Sequence, residues 1–505
     1  MELMYVVDAF VGGFLQVFNW PTLGYMLIGI VIGFAVGILP GLGGAVTLAL
    51  MLPFTFKMAP VDAFAFLLGM LSVTATTGDI TSVLFGVPGE ASTAATVLDG
   101  HAMAKKGEAG RALGAALMSS LVGAVFGAFV LAASVPIIRP LVLQFASPEF
   151  FMLTILGITF VSALSGGQLM KGLIMSGVGF VLAMVGLDPQ TGVQRYTLGQ
   201  ITLWDGIGLV AIAVGLFAIP EIVDMAVSGK SIAHGAVGKM GGVREGVLDT
   251  FRHLGLTLRC SMIGTFIGII PGLGGAMSQW MSYAHAVQSS RDKSRFGQGA
   301  VEGVLGPGAS NNSGLGGGLI PTIAFGVPGG LTMAILLGAF LIQGITPGPK
   351  MLTDNLPLTM SFVWIIVISN IITVSICFLF LEQIARITFA RVGLLIPPII
   401  MLIFVGAFAE KNAMMDLLVT IIFGIVGLVM VMTHWPRPPL VLGLVLGKLA
   451  ENYLFLTTAR YAPLEWLTRP VVIMIILLCL FVVFLPLIRR RFGGRPMPME
   501  LASET

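Results

Sequence analysis

The stretch Gly37-Ile-Leu-Pro-Gly-Leu-Gly-Gly-Ala45 decides the fold, because it recurs as Gly268-Ile-Ile-Pro-Gly-Leu-Gly-Gly-Ala276 with one conservative change. A second element, Phe85-Gly-Val-Pro-Gly-Glu90, recurs in the same order as Phe325-Gly-Val-Pro-Gly-Gly330. Two motifs repeated in order indicate a chain of two homologous halves. Such duplication is typical of secondary transporters, whose substrate and ion sites form at the repeat interface from discontinuous helices.

Proline and glycine inside apolar runs predict broken or re-entrant helices, because proline removes a backbone donor and glycine loosens the chain. Broken backbone at membrane depth is tolerated where it is buried in protein or lines a wet cavity. Freed N–H groups and helix N-termini then favour an anion. We therefore expect substrate binding at Pro40, Gly41, Gly43, Gly44, Pro88, Gly89, Pro271, Gly272, Gly274, Gly275, Pro328 and Gly329. Close helix packing by small residues is the alternative reading of these glycines.

The composition excludes a water-soluble fold. Of 505 residues, 56% are hydrophobic and 10% are charged, and the mean hydropathy is +0.99. Since a crossing needs about 20 apolar residues, the length accommodates about a dozen, which predicts an all-α polytopic membrane protein. A net charge of +3 gives no indication of nucleic-acid binding. The isolated Cys260, Cys377 and Cys479 predict neither a disulfide framework nor a metal site, and no cofactor is expected.

Charge divides the chain into a first membrane repeat over 1–223, a linker over 224–259, a second membrane repeat over 260–488 and a basic tail over 489–505. The basic linker and tail both suggest the cytoplasmic side, which would make the repeats parallel. A re-entrant hairpin or an interfacial helix in the linker would change this parity. The orientation therefore stays open, with inverted repeats favoured.

Polar residues surround both Gly-Val-Pro-Gly elements. Hydroxyls, amides and unwound carbonyls suit a cation and a carboxylate, so further substrate ligands are expected at Ser92, Thr93, Asn311, Asn312 and Thr332. A buried acid in a membrane is by default a functional candidate. Na⁺ or H⁺ is therefore expected at Asp79, Ser82 and Thr322. Helix capping, or pairing of Asp79 with a base, is the structural alternative.

Catalytic signatures are missing from the sequence: there is no nucleophile elbow, no histidine zinc motif and no Walker sequence, which argues against direct ATP drive. A secondary transporter, not an enzyme, is the favoured class. An ion channel would keep the fold and lose the coupling. An intramembrane enzyme would use Asp79 with Glu90 or His101, which do not have the spacing of a known catalytic dyad.

Ordered blocks along nearly the whole chain resemble the large membrane subunit of the tripartite tricarboxylate transporters. In the first half they are Pro40-Gly-Leu-Gly-Gly44, Leu52-Pro-Phe-Thr-Phe56 and Leu98-Asp-Gly-His-Ala-Met103. In the second half they are Pro271-Gly-Leu-Gly-Gly275, Phe296-Gly-Gln-Gly299, Asn311-Asn312, Gly326-Val-Pro-Gly329, Gly344-Ile-Thr-Pro-Gly-Pro349 and Pro438-Pro-Leu-Val-Leu-Gly-Leu-Val-Leu-Gly447. Two departures are Pro307-Gly308, where the family tends to have Pro-Glu, and Thr76-Thr-Gly-Asp79, where it tends to have Tyr-Gly-Gly.

The resemblance implies a multi-pass carrier of the bacterial inner membrane. Its implied partners are a small four-helix membrane subunit and a periplasmic solute-binding protein. The implied substrates are organic di- and tricarboxylates, taken up by symport with sodium or protons. The two departures leave this architecture intact and bear on the preference for substrate or ion.

Overall fold

The computed structural model describes residues 2–38, 43–164, 169–228, 240–271, 273–387, 392–462 and 464–491. Within these ranges the chain is helical apart from turns, short 3-10 segments and one hairpin, formed by β1 (Gly186–Leu187) and β2 (Gln194–Arg195). The predicted all-α class is therefore confirmed. Long apolar runs favour helices in a membrane because every backbone polar group is then satisfied within its own segment.

The helices before the linker are α1 (Glu2–Phe18), α2 (Thr22–Gly37), α3 (Gly44–Met51), α4 (Pro60–Phe85), α5 (Ala94–Lys105), α6 (Ala109–Val142), α7 (Ser147–Leu164), α8 (Leu169–Ala183) and α9 (Leu209–Ser228). The later helices are α10 (Val243–Arg252), α11 (Leu254–Ile269), α12 (Gly274–Ser289), α13 (Glu302–Phe325), α14 (Leu331–Ile342), α15 (Leu356–Leu379), α16 (Leu381–Ile387), α17 (Val392–Lys411), α18 (Met414–Met432), α19 (Pro438–Arg460) and α20 (Pro470–Arg491).

Six helices in the described residues are long and apolar enough to cross a membrane, or up to seven if the bent pair Met4–Phe18 and Thr22–Gly37 is one span. Those six are α4, α6, α9, α15, α18 and α19. Several other apolar helices have 10–17 residues. The chain is therefore a multi-pass membrane protein, and the expected dozen crossings stay a prediction.

The segment predicted as a linker, 224–259, contains helix as well as loop. It takes in the end of α9, all of α10 and the start of α11, while 229–239 lies outside the described residues. α10 packs along α6, where Arg111 Nε lies 2.7 Å from an Asp249 carboxylate oxygen. The boundaries drawn from charge therefore do not coincide with helix ends.

The helices end at the predicted breaks wherever the structure describes them. α4 ends before Gly86 and α13 ends before Gly326, with φ values of 70° and 67° that favour glycine. Pro88 and Pro328 follow in extended loops, and Pro271 lies in the turn between α11 and α12. Pro40 lies outside the described residues.

Helices of the two halves pack against each other in matched pairs. α13, which ends at the second Gly-Val-Pro-Gly loop, packs along α6, and α4, which ends at the first loop, packs along α15. α1 lies on α15 and α10 on α6, while α8 contacts α19 and α9 contacts α18. α4 and α13 are buried over most of their length. Each Gly-Val-Pro-Gly loop therefore follows a helix that is buried in the bundle.

Candidate functional site

A cavity of about 620 Å³ lies between the broken segments of the first half and those of the second half. These two sets of segments are called the first break and the second break. The first half contributes the start of α3 and the loop after α4, and the second half contributes the start of α12 and the loop after α13. The lining residues at these breaks are Gly43, Gly44, Pro88, Gly89, Glu90, Ser92, Leu273, Gly274, Gly275, Gly329, Gly330 and Thr332. Helix starts from two halves therefore share one cavity.

Glycine is needed in both loops because backbone approaches backbone there. A Cβ on Gly89 would lie 2.5 Å from Gly78 Cα, and a Cβ on Gly329 would lie 2.5 Å from Gly268 O. Neither position has room for a side chain without backbone movement. These contacts seat each loop against the helices behind it and hold the adjoining helix starts at the cavity.

The first break carries its own carboxylate. Gly44 N, at the start of α3, donates to Glu90 Oε2 at 3.0 Å. The Ser92 hydroxyl donates to the other oxygen of the same carboxylate. This helix start therefore binds a carboxylate by a main-chain N–H and a hydroxyl, which is the arrangement that the sequence predicts for a substrate acid.

The second break has the same sequence pattern without the acid. Gly330 stands where the first motif has Glu90, and a Cβ added to it would lie 3.5 Å from Gly274 Cα at the start of α12. The residue before α12, Leu273, provides no side-chain cap, and the first turn of α12 has no acidic residue. This helix start faces the cavity without a carboxylate of its own.

An ion pair also reaches the cavity. Arg437 and Glu221 both line it, with Arg437 Nη2 lying 3.4 Å from Glu221 Oε1. Arg437 Nη1 donates to Leu216 O at 3.0 Å, and the guanidinium lies 5.1 Å from the centre of the Phe217 ring. Among the described lining residues, Arg437 is the sole base, and Glu90 and Glu221 are the acids.

Asp79 lies behind the cavity wall on α4. Its side chain is fully buried, and neither carboxylate oxygen has a hydrogen-bond partner. The Thr96 hydroxyl and the Asn311 amide lie close to it, and Glu90 is near enough to act on it electrostatically. Burial of a carboxylate without hydrogen-bond partners is costly in free energy.

Asn312 joins helices in the interior. Its amide nitrogen lies 2.7 Å from Thr76 Oγ1, 2.7 Å from Ser120 Oγ and 2.8 Å from Asn370 Oδ1. These partners belong to α4, α6 and α15, so the amide links α13 to three neighbouring helices. Asn312 does not line the cavity, whereas the adjacent Asn311 does and donates to Ala75 O at 2.7 Å.

The structure brings part of the predicted site together. Of the predicted substrate ligands, those at the cavity are Gly43, Gly44, Pro88, Gly89, Ser92, Gly274, Gly275, Asn311, Gly329 and Thr332. Those described but away from its lining are Thr93, Pro271, Asn312 and Pro328. Pro40, Gly41 and Gly272 lie outside the described residues.

The predicted cation ligands do not form a single cluster of contacts. In the first half, Ser82 Oγ lies 2.9 Å from Gly78 O and 2.9 Å from the hydroxyl oxygen of Thr93. Thr322 donates to Gly318 O at 2.7 Å in the second half. Asp79 takes part in none of these hydrogen bonds, and it does not line the cavity. The assignment of these three residues to one ion stays a prediction.

Sequence reasoning missed three charged residues of the cavity wall: Glu90 as a cap, and the pair Glu221 and Arg437. Glu221 directly follows Pro220 at the edge of an apolar run, and Arg437 stands between Pro436 and Pro438. A charge beside proline next to an apolar run is the signal that could have found both.

A polytopic helical bundle with a cavity between broken helices is typical of membrane transport proteins. The model of the tripartite tricarboxylate transporter TctA family matches residues 23–442, and the chain belongs to this family. It is a subunit of a tripartite tricarboxylate transporter, and the predicted resemblance is confirmed.

Two relatives come from Agrobacterium vitis. The chain is 32% identical over 480 residues to a 52.8 kDa protein of the TAR-I ttuC' 3' region, with 92% of this chain and 94% of the relative covered. It is 30% identical over 233 residues to a protein of the TAR-II ttuC' 3' region, with 45% of this chain and 96% of the relative covered. No solved structure matches the chain.

Proposed function

We propose that this subunit carries organic di- and tricarboxylates across the bacterial inner membrane by symport with Na⁺ or H⁺. Its proposed partners are a small four-helix membrane subunit and a periplasmic solute-binding protein that delivers the acid. The observation that carries the proposal is the shared cavity, which two helix starts and one arginine face. Its volume of about 620 Å³ is within the ordinary range for small-molecule sites.

The substrate carboxylate is proposed to bind at the start of α12. Gly44 N, in the corresponding position of the first half, already binds the Glu90 carboxylate at 3.0 Å. The start of α12 has the same Gly-Gly pattern and no acid, and Thr332 and Ser278 add hydroxyls to the lining. A helix N-terminus with nearby hydroxyls favours an anion without a formal positive charge.

Coupling to a cation follows from the charges around the cavity. Its described lining holds the acids Glu90 and Glu221 against the single base Arg437. A substrate with two or three carboxylates would add further negative charge, so its binding requires positive charge from elsewhere. Asp79, buried with both oxygens unpaired, is the proposed place for that charge, with Ser82 and Thr322 as further candidate ligands.

Alternating access is proposed to move this cavity between the two membrane faces. Matched packing across the halves, α6 on α13 and α15 on α4, supports two homologous repeats. Inverted repeats remain the favoured arrangement, because rocking of one repeat against the other then exposes a fixed midplane site alternately. The glycine-rich loops would be the hinges.

Uptake of labelled citrate into vesicles tests the proposal. The complete transporter, with its small subunit and binding protein, should accumulate citrate when a sodium or proton gradient is imposed. Accumulation should fall to the background of empty vesicles when the gradient is collapsed or the binding protein is left out. Citrate flux that is saturable yet indifferent to both gradients would refute symport, and flux that does not saturate would indicate a channel.

A further inference from the structure

The ion pair of Arg437 and Glu221 at the cavity wall suggests a further contact for the substrate. We propose that Arg437 binds one carboxylate group of the substrate and that Glu221 occupies this place while the cavity is empty. The inference rests on the proposed transport of organic acids and assigns a second anion contact in the same cavity, besides the start of α12.

Arg437 is held in a fixed orientation. Its Nη1 donates to Leu216 O at 3.0 Å, and its guanidinium lies 5.1 Å from the Phe217 ring centre. With the contact to Glu221, two of its nitrogens are engaged, whereas a guanidinium has five N–H donors. A pre-oriented guanidinium with donors to spare is suited to a carboxylate, which it can bind through two parallel hydrogen bonds.

Arg437 also stands at a helix start. It is the N-cap residue of α19, and Pro438 behind it lines the cavity as well. The positive end of the α19 dipole therefore adds to the charge of the guanidinium. Since the described lining contains no other basic residue, an acid that enters the cavity has this one cationic side chain to bind.

The bond between Arg437 and Glu221 is loose enough to be replaced. It joins one nitrogen to one oxygen at 3.4 Å, and the two side chains remain 20% and 27% exposed. Charge-assisted hydrogen bonds of good geometry are about 2.7–2.9 Å long. A substrate carboxylate that binds one edge of the guanidinium through two parallel N–H donors would exchange a single long contact for two short ones, so Glu221 acts as a competitor for the same cation.

Thermal melting of the detergent-purified membrane complex, at increasing citrate, succinate or benzoate concentration, measures this binding without the binding protein, because a ligand stabilises the state that it binds. Arg437→Gln should raise the dissociation constant roughly tenfold or more, and Arg437→Lys should raise it less. Glu221→Gln should lower the dissociation constant about threefold, because the competing charge is removed.

Arg195→Gln is the matched control. Arg195 pairs with Glu451 at 2.5 Å and has a similar exposure of 21%, but neither residue lines the cavity. This variant should leave the dissociation constant unchanged. The diagnostic result is that the dissociation constant rises in Arg437→Gln and falls in Glu221→Gln. If the ion pair were purely structural, replacing either partner would weaken binding.

The outcomes separate the two proposals. If the wild-type complex binds an acid but Arg437→Gln and Glu221→Gln shift affinity in the same direction, or not at all, the inference about the pair is refuted and transport stands. If none of the three acids changes the melting of the wild-type complex and none is taken up by vesicles, the proposed function fails and this inference with it.

Discussion

The two broken regions share the Phe-Gly-Val-Pro-Gly motif, but the first carries acids and the second carries none at the corresponding positions. The first half has Asp79 on α4 and Glu90 in the loop that follows. In the register of the repeated Phe-Gly-Val-Pro-Gly, the second half has Leu319 and Gly330 at these positions. Glu221 also belongs to the first half, whereas Arg437 belongs to the second. Among the described lining residues, the acids therefore come from the first half, and the open helix start and the base come from the second.

This difference shows that the backbone places the helix starts at the cavity, whereas a side chain determines whether a helix start already binds a carboxylate. The breaks in both halves hold helix starts at the cavity, since glycine allows the close contacts at 89 and 329. Whether a helix start is filled from within depends on one residue. Glu90 shows that the geometry accepts a carboxylate, and Gly330 leaves the other copy open for one from outside.

Filling the open site should have the largest effect. Gly330→Glu would give the second break its own carboxylate; the backbone is extended there, and a Cβ would make an ordinary contact at 3.5 Å. A tethered acid acts at an effective concentration of about millimolar or above, so citrate uptake should fall by about tenfold or more. Gly330→Gln, of equal length and no charge, should lose much less in the same vesicle assay. Equal losses of uptake in both variants would show that the added charge has no effect, and would contradict an anion site at the start of α12.

Replacing Asp79, the buried acid on α4, should uncouple citrate transport from the ion gradient. Asp79→Asn deletes the charge proposed to recruit the cation, so gradient-driven citrate accumulation should fall about tenfold, while citrate exchange between the two sides of a vesicle continues. Ser72→Ala on the same helix is the matched control, because Ser72 Oγ is buried without a partner and its loss removes no bond. Accumulation that persists in Asp79→Asn would place the coupling ion elsewhere.

The smallest effect should be on stability. Glu90→Ala removes the acceptor of Gly44 N and should lower the stability of the complex by about 1 kcal/mol, the usual value of a helix cap. Glu90→Gln keeps an acceptor oxygen and should retain most of that stability. Melting in detergent without substrate compares the two variants. If alanine and glutamine melt alike at the wild-type temperature, Glu90 is no cap.

The sequence predicted the features that depend on local chemistry. Proline and glycine end helices through their own backbone, so the breaks at Gly86 and Gly326 could be placed, and the repeat made one shared site a reasonable expectation. Residues of α13 show the limit. Asn311 and Asn312 are neighbours in sequence, yet the first reaches the cavity and the second joins three helices.

A sequence pattern could have marked charged residues one at a time, but it could not have predicted which of them form contacts across distant segments. Glu221 and Arg437 are brought together by the packing of α9 beside α18 and α19, which no local pattern encodes. The capping role of Glu90 has the same origin, since its partner Gly44 lies on a separate helix. Burial of Asp79 could be expected because it lies within a long helix-forming membrane segment, but the lack of partners for its oxygens required coordinates.

The backbone contacts at Gly89 and Gly329 have a consequence for redesign. Backbone lies directly against backbone at Gly89 and Gly329, so substitutions at these two positions offer no graded way to change the shape of the cavity. Ser92 and Thr332 line the cavity and can be varied, although a change at Ser92 also removes its hydrogen bond to Glu90. A laboratory library that seeks a carrier for a new acid should vary those two positions and keep the glycines constant.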